Sequence, residues 1–131
     1  MSANTPADIS RLQEITDGDL EFLKELIELY LADSPEQIAA LRKAMAERNA
    51  ESCQVVAHTF RSSSGNVGAM ELQQRLLKLE NLSKKSALDE AVTIVVGIEE
   101  EFDRVRAYLE ELSQEISSNP KGGRILNNQA V

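Results

Sequence analysis

The chain contains one histidine, His58, inside the run AHTFRSSSGNVGA from Ala57 to Ala69. An imidazole with an unperturbed pKa of about 6.5 is substantially neutral near pH 7. Its free ring nitrogen can then attack an activated phosphoryl group and form a phosphoramidate. Around it, Cys53, Val56, Ala57, Phe60, Ser64 and Val67 recur at intervals of three and four, the signature of one buried helical face. His58 falls roughly 140° from the centre of that stripe, beside Gln54, Arg61, Ser62 and Gly65. Arg61, one turn on, can bring a guanidinium to a phosphoryl group on the ring, and charge-assisted bonds of that kind are among the stronger ones available. Ser62 and Gly65 remove bulk beside the ring, and a glycine within a helical face needs a reason because it weakens the helix. Partner docking is therefore expected over Gln54, Val55, Ser62 and Gly65. Gln37 and Glu80 are polar residues that a bundle can bring near the histidine, but sequence alone does not place them.

Competing chemistries are poorly supplied. Ser62, Ser63 and Ser64 have no second histidine or paired base to activate a hydroxyl, so Ser63 and Ser64 read as small packing residues near a helix end. The acidic runs Glu99-Glu100-Glu101 and Glu110-Glu111 lack any Glu-x-x-His pair and read as a solvated helix face, with no metal site. No Gly-rich nucleotide loop, P-loop lysine or kinase signature is present, so the chain is expected to carry phosphate without taking it from ATP.

The elements that must hold this stretch are helical. Asp8 is placed to cap a short helix ending near Ile15, and Asp17 to cap a second running to about Ala32 with Leu20, Leu23, Ile27, Tyr30 and Leu31 on one side. Ser34-Pro35-Glu36-Gln37 reads as the start of a third helix carrying Ile38, Leu41 and Met45. Asn49 offers a cap for the helix of His58, which should end in the turn containing Asn66 and Gly68. A further helix follows with Ala69, Leu72, Leu76 and Leu79. Ser86, with Asp89 three residues on, is expected to cap the last and longest one. Its seam runs through Leu88, Val92, Val95, Ile98, Phe102, Val105, Leu109, Leu112 and Ile116, about 40 Å at helical rise. No strand pattern competes. The expected fold is all-α: an antiparallel up-and-down four-helix bundle with one or two accessory N-terminal helices. Residues 1–7 and 118–131 read as flexible tails around one domain, 8–117.

Composition agrees. At 131 residues, 42% hydrophobic and 4% aromatic without Trp, the chain suits one aliphatic-packed domain. A formal net charge of -8, with only 14 Lys and Arg, argues against nucleic acid and anionic membrane surfaces. Cys53, the sole cysteine, lies on the apolar stripe and reads as core. No segment approaches the roughly 20 apolar residues of a membrane span, and MSANTPADIS is unlike a secretory leader. A cytoplasmic monomer is expected.

The run H-x-x-R-S-S-S-G-N-x-G-A, followed by Leu72, Leu79 and Glu80, resembles the signature of the histidine-containing phosphotransfer domain family, usually H-x-L-K-G-S with a later G-A and L-E. The resemblance extends from about Ile9 to Leu112. Arg61 stands where lysine is commonest, keeping the charge, and Ser62 where glycine is usual, keeping the residue small. The resemblance implies that His58 is the phospho-acceptor. It also implies that the partners are receiver domains of response regulators or hybrid kinases, which bring their own Mg2+ while this chain needs no cofactor. Two other readings stay open: a helical adaptor with an inert histidine, and a phosphohydrolase using His58 as covalent nucleophile. The latter usually needs a general acid and several phosphate-binding cations, and only Arg61 is evident.

Overall fold

The computed structural model describes residues 5–118. Within them lie five helices and no strand: α1 (Ser10–Thr16), α2 (Leu20–Ala46), α3 (Ala50–Asn66), α4 (Met70–Lys84) and α5 (Leu88–Ser118). Connections of three residues join α2 to α3, α3 to α4 and α4 to α5, and links that short make consecutive helices antiparallel neighbours. Each of these helices packs on the next, and α5 returns against α2 to close the bundle. The accessory N-terminal element is a single short helix, α1, lying on α2.

Local signals set several ends. The Asn49 side chain accepts from the Ser52 backbone N–H and starts α3. The first cap differs from the sequence reading: the residue before α1 is Ile9, with no side-chain cap bond, and Asp8 lies one residue further back, its carboxylate accepting from the Ser10 N–H. The second cap differs from the sequence reading. Asp19, rather than Asp17, accepts from the Phe22 N–H and opens α2, while Asp17 takes φ 49 and closes α1. Ser86 likewise does not cap α5; it has φ 55, and its N–H donates to the Ser83 carbonyl to finish α4.

The largest difference is at Pro35, where the sequence signalled a new helix and the structure continues α2 without a break. Pro35 removes the N–H that would have bonded the Leu31 carbonyl, at a cost of about 3 kcal/mol in a helix interior. Yet Tyr30, Ser34, Ile38 and Leu41 form one buried stripe across it, and Pro35 itself is exposed. Burial of both halves against the same neighbours offsets the lost bond. The seam of α5 is as expected except at Val92, which is 49% exposed while Ala91 is buried in its place.

Of the stretch expected as an N-terminal tail, the structure describes residues 5–7. Ala7 is buried, and the Asp8 N–H donates to the Gly68 carbonyl. Gly68, at φ 73, is required there, since a Cβ would meet the Asp8 carbonyl oxygen at 1.7 Å. Residues 1–4 and 119–131, the rest of the two stretches expected as tails, lie outside the described residues. Ser118 itself is helical.

Under the histidine helix, Phe60, Tyr30 and Phe102 form an aromatic trio with centroids 5.8 to 6.5 Å apart, Phe102 meeting both other rings edge to face, and tie α3 to α2 and α5. The buried Tyr30 hydroxyl and Ser64 Oγ share a 2.9 Å hydrogen bond. Cys53 is fully buried, as its place on the stripe required. Glu101 departs from the solvated face assigned to its run: it is buried, its Oε1 accepting from Arg104 while its Oε2 has no partner. Glu99 instead forms a bidentate pair with Arg42 of α2.

Candidate functional site

His58 projects from α3 with 59% of its side chain exposed, as its angle from the apolar stripe required. Phe60 and Ala57, both buried, fix the helix on either side of it. Directly across, α4 buries Leu76 and Leu79, and this places Glu80 at the α3 edge of that helix with only 6% of its side chain exposed. Its carboxylate joins the two residues of the α3 motif. Oε2 lies 3.0 Å from Nδ1 of His58, and Oε1 accepts from Nε of Arg61 at 2.8 Å.

The protonation pattern follows from these contacts. Burial pushes the Glu80 carboxyl upward, but hydrogen bonds from Arg61 and His58, and their charges, outweigh it and hold the group below its usual value. Glu80 is therefore an ionised acceptor near neutral pH, and Nδ1 must carry the proton it donates. Nη2 of Arg61 also sits 3.2 Å from Nδ1. One nitrogen cannot donate to Glu80 and accept from Arg61 together, so the Arg61 approach is a packing contact that leaves this arm of the guanidinium uncommitted. In the neutral ring a proton on Nδ1 leaves the lone pair on Nε2.

The structure thus brings together His58, Arg61 and Glu80, and leaves Gln37, half-buried on α2, outside the trio. Val55 is 60% exposed, Ser62 is exposed, and Gln54 is half-buried on the α4 side of the ring. Gly65 lies against α4: a Cβ there would meet the terminal amide of Gln73, a flexible side chain that can swing aside, so this contact does not by itself demand glycine. Asn66 is the last residue of α3, and Gly68 makes the turn.

One feature of this face is absent from the sequence reading. On the α2 flank of α3, Ser63 and Asn66 border an apolar groove lined by Ile15, Phe22, Leu26 and Leu29. Leu29 is 64% exposed, Ile15 54% and Phe22 41%. The signal was available, because these residues fall off the 3/4 stripe of their helices and yet are large and apolar.

The solved structure of histidine-containing phosphotransfer protein B from Pseudomonas aeruginosa superimposes with a TM-score of 0.80 at 24% identity, covering 86% of this chain and 98% of that one. At that identity it supports the shared bundle fold. A comparison with curated proteins finds no match. The family model described as the Hpt domain matches residues 25–117, which include the whole of the His58, Arg61 and Glu80 trio. The chain therefore belongs to the Hpt family, whose members act as histidine phosphotransfer domains in phosphorelays.

Proposed function

We propose that this chain is a phosphocarrier of a multistep His-Asp relay in which Nε2 of His58 takes a phosphoryl group from the phosphoaspartate of one receiver domain and gives it to the aspartate of another. The observation that carries this reading is the buried Glu80 carboxylate on Nδ1 of an exposed imidazole. It fixes the tautomer whose Nε2 lone pair faces solvent. That lone pair attacks phosphorus, the bond from phosphorus to the aspartyl oxygen breaks, and the aspartate leaves as carboxylate. The ring then holds the phosphoryl group on Nε2, a proton on Nδ1 and a positive charge facing Glu80. In this reading the second arm of Arg61, 3.2 Å from Nδ1 of the ring, would turn to the phosphoryl oxygens.

The proposed docking surface joins Gln54, Val55 and Ser62 to the apolar groove of Ile15, Phe22 and Leu29. Gly65, beside the terminal amide of Gln73, belongs to the same proposed surface. The receivers would bring Mg2+, the carrier using no cofactor of its own and no ATP, as a cytoplasmic monomer. Among the described residues no helix is long and apolar enough to cross a membrane.

The test is incubation of the chain with a phosphorylated receiver domain, alongside His58→Gln. Acid-labile, alkali-stable phosphate on the chain and none on the variant is the expected result. A helical adaptor with an inert histidine would take no phosphate, and a phosphohydrolase would release inorganic phosphate continuously. Because His58 is off the core, the variant should keep the cooperative melt of the parent.

A further inference from the structure

We propose that Lys84 is a second phosphoryl-binding cation of this site, its ammonium contacting the phosphoryl oxygens carried on Nε2 of His58; the inference rests on the phosphocarrier reading above. Charge is the first argument. Within the trio, Arg61 and Glu80 cancel, since the Glu80 carboxylate already holds the Arg61 Nε–H. A phosphoryl group adds about two negative charges near neutral pH, and the trio has no net positive charge to receive them.

Lys84 stands where that charge is needed. It is the last residue of α4, exposed, and four residues beyond Glu80 on the same flank of the helix. Helical side chains lean toward the N-terminus of their helix and cover the residue one turn back. A Lys84 stem leaning this way heads toward Glu80, whose Oε2 holds the ring. The ring leans the matching way. Pairing of His58 with Glu80 and of Gly65 with Gln73 shows that α3 and α4 are antiparallel, so leaning toward the α3 N-terminus carries His58 toward the Lys84 end of α4.

Lys84 is also uncommitted. Glutamate four residues before lysine is the favourable order for a helical ion pair, but both Glu80 oxygens are held by His58 and Arg61. No ion pair among the described residues involves Lys84. Neighbouring Lys85, roughly 100° further round the axis, faces away from α3 and serves as the control.

The experiment measures phosphorylation of His58 in the full chain by phosphoramidate, a small donor that needs no docking surface, and the hydrolytic lifetime of the product. Lys84→Ala should slow phosphorylation by about fivefold, the size of one exposed charge contact near 1 kcal/mol. Lys84→Glu should slow it further, Lys84→Arg should restore most of the rate, and Lys85→Ala should match the parent. Added salt should slow the parent more than Lys84→Ala. Melting temperatures near that of the parent are expected, because the side chain is exposed. Phosphate on His58 with equal rates for Lys84→Ala and Lys85→Ala overturns the role of Lys84 alone. Absence of phosphate on His58 in the parent overturns the phosphocarrier reading and this inference with it.

Discussion

Removing the carboxylate of Glu80 tests whether the tautomer of His58 is set from α4. In Glu80→Gln the side chain keeps its shape but has one acceptor oxygen for two donors, Nδ1–H of His58 and Nε–H of Arg61. If the amide oxygen stays on Arg61, the NH2 group faces Nδ1, and the ring must shift its proton to Nε2 to accept that bond. The nucleophilic lone pair is then on the buried side. A hydrogen bond to a charged group contributes about 1.5 to 3 kcal/mol. The ring is 59% exposed, so water competes and the lower end applies. At about 1.4 kcal/mol per decade, transfer should fall roughly tenfold in Glu80→Gln and comparably in Glu80→Ala. Transfer from a phosphorylated receiver gives the rate, and 15N chemical shifts of the His58 ring give the tautomer. The parent should show a protonated Nδ1 and an unprotonated Nε2. An unprotonated Nδ1 in the parent, or an undiminished rate in both variants, would refute the reasoning.

Arg61→Lys, conservative by charge, should nonetheless be slower than the parent, because one ammonium cannot hold Oε1 of Glu80 and also reach toward the ring as the guanidinium fork does; Arg61→Ala should be slower still, by about 1.5 to 3 kcal/mol in the barrier, both read as single-turnover transfer rates. Ser62→Leu should block transfer from a receiver while leaving phosphorylation by phosphoramidate intact, since the residue is exposed and leucine is a good helix former; equal loss with both donors would mean that the ring itself was disturbed. Acid should expose the held carboxylates. For Glu80 burial works upward but Arg61 and His58 prevail, and for Glu99 the Arg42 hydrogen bond leads, so both are lowered in the folded state. Their stabilisation is complete above the unfolded value of about 4.3 and is lost as pH falls below it toward the folded values. The pH dependence of denaturant midpoints below about pH 5 should therefore flatten in a Glu80→Gln, Glu99→Gln double variant.

Features that depend on a few adjacent residues were legible in the sequence by itself. The 3/4 spacing around Phe60 put His58 on the open side of α3, and Asn49 capped that helix, because both follow from helical geometry within a turn or two. Arg61, at i+3, was found for the same reason. What the tertiary structure decided involves partners distant in the chain or surfaces shared between helices. Pro35 looks like a start signal locally, and only the common burial of Tyr30, Ser34, Ile38 and Leu41 carries α2 through it. That the Gln73 amide reaches Gly65 depends on the packing of α4 on α3 and is invisible in the local sequence. Glu101 belongs by composition to a charged run, yet the rotation of α5 against its neighbours turns it inward. Glu80, 22 residues from His58, meets the imidazole only because antiparallel packing of α3 on α4 sets one residue against the other. The exposure of His58 is thus a property of one helix, and the carboxylate on its Nδ1 is a property of two.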